Sequence, residues 1–223
     1  QRQMCIRDSV YDNAMFIIAL DYLLEMAPDS PQASRWKSLR EGIERNVRAH
    51  LWDVKRQKFI PHIYPEKSPI PEGFDELAIH YHGGTAIAIE AGLLSKDEIR
   101  TVNAQMLENV RLSGMPSIGL TLYPVYPDGF FHGGMSKAYL YQNGGDWTWF
   151  GGRMIQQLVV NGMVEEAYAE IHPMIERVIQ NDGFYEWYGK GGVPSGSGNF
   201  KGSAGVLSKA IELLRDWAEK NKS

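Results

Sequence analysis

Apolar residues fill nearly every position of "YDNAMFIIALDYLLEMA", residues 11–27, the pattern of a helix buried on all sides. The next stretch, "PDSPQASRWKSLREGIERNVRAHLW", is different. Its apolar positions Trp36, Leu39, Ile43, Val47 and Leu51 recur every three or four residues, so one face is expected to be covered and the other charged. Asp29 or Ser30 is placed to cap this helix, and Pro31 to enter its first turn. The pair predicts an inner helix followed by an outer one.

The alternation repeats. "HGGTAIAIEAGLL" is small and apolar, and Ser95 with Glu98 then forms a capping box that opens "KDEIRTVNAQMLENVRL". "GGDWTWFGGRMIQQLVVNG" precedes "MVEEAYAEIHPMIERVIQ", in which Pro173 predicts a kink or a late start. "GSAGVLSKAIELLRDWAEK" runs towards the end. Inner-helix starts near Gly84, Gly145 and Ser203 lie roughly sixty residues apart, the long period of stacked helical hairpins. Three long loops, 59–76, 114–141 and 182–202, are rich in Pro, Gly and aromatic residues. Each precedes an inner helix, so all three are expected at one end of the bundle, where long loops usually carry function.

Composition narrows the class. The 223 residues are 43% hydrophobic with a net charge of −4, enough for one substantial core. Acids and bases are interspersed, so the basic stripe of a nucleic-acid partner is absent. No apolar run reaches the length of a membrane span. A soluble globular chain is expected. Residues 1–9 stand apart: "QMCIRDS" resembles the translated end of a transposase-type sequencing adapter and is set aside from fold reasoning. The lone cysteine, Cys5, falls within it, so no disulfide is expected. Residues 10–223 are then expected to be a catalytic domain lacking its N-terminal part.

Two segments carry the candidate chemistry. In "NDGFYEWYGKGGVPSGSGNFKGSAG", Glu186 stands between Tyr185 and Trp187 before a flexible Gly/Ser run. A carboxylate among rings can be partly desolvated and tuned towards base strength; the plain alternative is an exposed loop acid. "YQNGGDWTWFGGRM" sets flat rings beside polar groups. Sugars present apolar C–H faces and hydroxyl edges, and such a site suits them. Trp147 and Trp149 offer stacking surfaces, or else core. Gln142, Asn143, Asp146 and Arg153 offer hydrogen bonds, with Asp146 alternatively a helix cap, and the glycines allow close approach.

These two segments resemble those of the six-hairpin (α/α)6-barrel glycosidases, a group that includes processing α-glucosidase I, trehalase and neutral invertase. The resemblance implies an all-α fold, the C-terminal portion of an (α/α)6 toroid, with about seven helices present. It also implies that Glu186 is the general base of an inverting glycoside hydrolase, acting on the non-reducing end of gluco-configured oligosaccharides. The general acid of such enzymes lies before the sixth helix. Asp12 is therefore either the last part of that acid loop or an N-cap. The substrate is expected to be an oligosaccharide or glycoside, with no cofactor and no metal.

Weaker signals complete the reading. His80 and His82 share a face but lack a third metal ligand in the sequence nearby; His82 is expected at the site's rim. Asp75 and Glu76 read as surface acids before pocket acids, and Tyr123, Tyr126, Asp128 and Phe130 read as a wall of the site. "GSGNF" lacks the preceding strand of a nucleophile elbow. Two rivals stay open: a sugar epimerase on the same toroid, using His80 or His82 with His132, and a toroid that binds carbohydrate without catalysis.

Overall fold

The structure is a computed structural model and describes residues 9–64 and 70–222. Among these, seven α-helices carry the fold: α1 Val10–Met26, α2 Ala33–His50, α3 His82–Glu90, α4 Lys96–Ser113, α5 Thr148–Val160, α6 Val164–Gln180 and α7 Lys201–Lys220. The odd-numbered helices form an inner row in which α1 packs on α3, α3 on α5 and α5 on α7. The even-numbered helices lie outside it. One core runs through the row, from Val10, Ala14 and Ile17 through Ile87 and Ile155 to Leu207 and Ala210.

Sequence explains each layer. Helix α3 is so apolar and small that all its residues from His82 to Ile89 are buried. Glycines let the inner helices touch: a Cβ at Gly84 would meet Val10 of α1 at 2.6 Å, and one at Gly152 would meet Val206 of α7 at 2.9 Å. The close approach that the glycines of the "WTWFGGRM" segment permit is thus helix against helix, rather than backbone against ligand. The outer helices are tied by polar links. Arg48 of α2 pairs with Glu98 of α4 at 2.7 Å, and Asn103 of α4 donates to Glu170 of α6 at 2.7 Å.

Helix ends follow the expected chemistry in part. The Ser95–Glu98 capping box forms, and α4 ends on Gly114 in the left-handed region at φ 69°. Asp12 is not the cap of α1. Ser9 is: its hydroxyl accepts from the Asp12 amide and donates to the Asp12 carboxylate at 2.9 Å. Neither Asp29 nor Ser30 caps α2, which starts at Ala33. Helix α6 runs through Pro173. The expected covered face of α2 holds only at its C-terminal end, where Val47 and Leu51 are buried, whereas Leu39 is 42% exposed. Nothing among the described residues packs over its first half deeply enough to bury it.

Two short antiparallel ladders pin loops. β1 Trp52–Asp53 pairs with β2 Lys58–Phe59, and β3 Trp187–Tyr188 pairs with β4 Pro194–Ser195. The second fixes the turn that follows Glu186. Of the 1–9 segment, only Ser9 falls within the described residues. No described helix is long and apolar enough to cross a membrane.

Candidate active site

The N-terminal ends of all four inner helices meet around one cavity of about 410 Å³, within the range of small-molecule sites. Tyr11 comes from the first turn of α1, and Tyr81 immediately precedes α3. Trp147 precedes α5, while Trp149 and Phe150 stand in its first turn. Phe200 immediately precedes α7. Tyr141, Gln142 and Glu186 reach in from the loops. The loop-end clustering expected from the sequence therefore exists, and it joins both segments that carried the resemblance.

Glu186 is the carboxylate of this cavity. Its backbone N–H donates to the Ser197 carbonyl at 2.9 Å, and one carboxylate oxygen lies 3.4 Å from the Ser197 amide. Tyr141 stands beside it on the cavity wall; burial and this negative neighbour raise the pKa of the Tyr141 hydroxyl above its ordinary value. Tyr141 itself sits at φ 49°, a region that bulky residues rarely occupy. Gly196 faces Glu186 at φ 72°, and a Cβ there would collide with the carboxylate. The Gly/Ser turn thus leaves room for one acidic side chain.

The aromatic walls are braced. Trp147 is 5% exposed, donates its indole N–H to the Tyr141 carbonyl at 3.2 Å and meets the Tyr141 ring edge-on at 4.9 Å. Behind Trp149, the Arg153 guanidinium lies 4.5 Å from the ring centroid and pairs with Glu90. Arg153 therefore supports a ring rather than facing the cavity. Tyr185 and Trp187 flank Glu186 in an extended segment, where alternate side chains face opposite ways. Neither lines the cavity: Tyr185 packs on Tyr188, and Trp187 meets Tyr141 edge-on at 6.3 Å.

Several expected contacts turn inward instead. Asp146 is fully buried, paired with Arg177 at 2.8 Å and accepting from the Ser117 hydroxyl at 2.7 and 2.9 Å. It is neither a sugar ligand nor a helix cap. Asn143, also fully buried, spends its amide on the backbone of Tyr126 and Lys137. His82 is 2% exposed and bonded through Nε2 to Asn109 at 3.0 Å; burial drives its pKa down to about 3. It stands in the core and not at a rim, which removes one histidine of the epimerase reading. Asp12 is exposed at the start of α1 and does not line the cavity.

A second cavity of about 120 Å³ adjoins the first, since Tyr81 and Gln142 line both. Tyr126 belongs here, with Phe130 stacked on it at 4.9 Å. Asp75 is exposed, but Glu76 is not a surface acid. Its Oε1 accepts from Tyr126 at 2.5 Å, Tyr64 at 2.7 Å and His62 Nδ1 at 2.8 Å. Burial pushes this carboxyl up, yet the bonds from His62, Tyr126 and Tyr64 outweigh it and hold it below its ordinary value. Three donors converging on one oxygen keep Glu76 ionised.

This arrangement of helices is found in solved proteins. The complex of GH63 mannosylglycerate hydrolase from Thermus thermophilus with Tris and D-glycerate matches at a TM-score of 0.60 and 17% identity, covering 93% of this chain and 45% of that one. Its glucose complex matches at 0.59 and 18%, covering 93% and 47%. An uncharacterized conserved protein from the same organism matches at 0.61 and 18%, covering 93% and 46%. The fold is a helical toroid's. The chain spans less than half the length of these structures. No family model and no curated protein matches its sequence.

The residues missed by sequence reasoning are Tyr11, Tyr81, Tyr141, Phe150 and Phe200. Each is an uncharged ring; Tyr141, Phe150 and Phe200 lie within the two quoted segments, but nothing in those segments tells a lining ring from a core one. One signal was present: each falls just before or just inside an inner helix, or in the loop leading to one.

Proposed function

We propose that this chain carries the base-bearing half of a glycoside hydrolase site, with Glu186 as the general base. The observation that carries the reading is a carboxylate beside a braced aromatic wall, at the end of the bundle where four inner helices begin. Glu186 accepts a proton from water as that water attacks the anomeric carbon. Trp149 and the face of Trp147 take the apolar side of the sugar, and Gln142 meets its hydroxyls. The partner acid protonates the leaving oxygen. Among the described residues no second carboxylate lines the cavity, so this acid comes from elsewhere in the protein.

The reaction is proposed to invert configuration, which requires carboxyls about 6.5–9.5 Å apart with water between them. The substrate is proposed to be a gluco-configured glycoside attacked at its non-reducing end. A similar structure that holds glucose supports the sugar; the mannosylglycerate hydrolase likeness supports the reaction class.

The test is Glu186→Gln in the whole protein. Turnover of an O-glucoside is expected to fall by about 10²–10⁴-fold, the contribution of general base catalysis, while the affinity for an uncleaved analogue stays within a few-fold. Proton NMR of the first product formed is expected to show the opposite anomer. Undiminished turnover in a folded Gln variant sinks the assignment.

A further inference from the structure

The second cavity is built for something other than the sugar ring. Its floor is apolar, from Ile79, Leu122 and Phe131, and its polar edge is His62, Tyr126 and Gln142. About 120 Å³ is the share of roughly four water molecules. That is the space of a short chain of heavy atoms. Behind the polar edge stands the ionised Glu76, its side chain 11% exposed; among the described residues it is hydrogen-bonded by His62, Tyr64 and Tyr126, and no Lys or Arg pairs with it. Among those residues, too, the cavity lining holds no Lys and no Arg. The buried Lys58 spends its ammonium on the Leu77 and Ile79 carbonyls at 2.5 Å. An anion entering here would meet a fixed negative charge across a poorly solvated gap, where Coulomb repulsion is strong.

We infer that the second cavity holds the leaving group of the glycoside, and that this group is small, uncharged and hydroxylated. The inference rests on the hydrolase reading of Glu186 and adds to it the class of the group released. Tyr81 and Gln142 form the shared wall, so a sugar seated in the first cavity projects its substituent past them into the second. The His62, Tyr126 and Gln142 edge supplies donors and acceptors to hydroxyls, while Glu76 rejects a carboxylate. A glycerate aglycone, of the kind named for the similar hydrolase, is the wrong charge for this cavity.

The experiment uses binding, which does not depend on turnover. The whole protein is titrated with two uncleavable thioglucosides, one bearing a glyceryl group and one bearing glycerate. The glyceryl compound is expected to bind about tenfold more tightly, and Glu76→Gln is expected to narrow that ratio to within about threefold by removing the charge. Met135→Trp, on a surface turn at the cavity, provides a second variant. It is expected to weaken the glyceryl compound more than methyl thioglucoside. The proposal is overturned if glycerate binds as tightly as glyceryl, if neither binds, if a folded Gln variant keeps the ratio, or if Met135→Trp weakens both neutral compounds alike. Failure of the hydrolase reading shows differently, as no glycerol released from O-linked glyceryl glucoside while the discrimination between thioglucosides persists.

Discussion

A methyl group at Gly196 would occupy the space of the Glu186 carboxylate, so the position of the proposed base depends on the absence of one carbon. Gly196→Ala also strains a left-handed turn. Because the turn is exposed, the expected loss is in turnover, about 10²-fold for a displaced reacting group, with far-UV circular dichroism unchanged. A variant with undiminished turnover would show that Glu186 is not held by this contact. Asp146 makes the opposite case. Its motif reads as that of a sugar ligand, yet its buried pair with Arg177 ties the loop before α5 to α6. Arg177→Met removes the cation and leaves the anion buried, which costs about 3–5 kcal/mol; denaturant melts check this, and a loss below about 1 kcal/mol would contradict it. Sequence does not separate Glu186 from Asp146 because both are single acids among rings and glycines. What separates them is which way each loop turns its alternate residues, and that depends on bridges such as Asp146 to Tyr188 between segments far apart in the chain.

Helices α4 and α6 meet through Asn103 and Glu170, a contact with a pH signature. Burial, with a smaller push from Glu166, raises Glu170 to about 7 from 4.5, against the lowering effect of the Asn103 bond. Below pH 4.5 the folded and unfolded chains both hold the proton. Between 4.5 and about 7 the unfolded chain releases it first, so stability falls as pH rises through that window. Above it the loss is complete, roughly 3 kcal/mol at 1.36 kcal/mol per unit. Glu170→Gln keeps an acceptor for Asn103 and is expected to flatten this dependence and raise the melting temperature at pH 8. Melts from pH 5 to 8 that stay parallel for the two proteins would reject it. At this scale the sequence is most legible. Seven helices, the inner and outer alternation and the Ser95–Glu98 box follow from periodicity and local capping, which need only neighbours along the chain. Caps and covered faces that depend on what lies opposite are less so: Ser9 rather than Asp12 begins α1, and Leu39 of α2 has little to pack on.

Each end of the inner row carries apolar surface that the described residues leave uncovered. On α1, Phe16, Leu23 and Met26 are 49%, 37% and 74% exposed, and their spacing of seven and three puts them in one stripe. At the other end, Tyr168 of α6 with Ile211 and Trp217 of α7 line an apolar groove of about 640 Å³. In a toroid a row of inner helices closes on itself, and such faces are buried by the helices that complete the ring. This chain spans 45–47% of the similar structures. Patches of this kind drive association when they face water. The 223-residue chain expressed by itself is therefore expected to self-associate, with a mass by light scattering that rises with concentration. It is also expected to lack turnover, since Glu186 has no acidic partner among the described residues of the cavity. Met26→Lys with Trp217→Lys should shift it towards monomer, because a charge on either face opposes its burial. A wild-type chain that stays monomeric at high concentration and cleaves glucosides would refute both expectations. It would require the acid to be sought among these residues, with Asp12 first: it is exposed on α1, one residue from Tyr11 of the cavity wall.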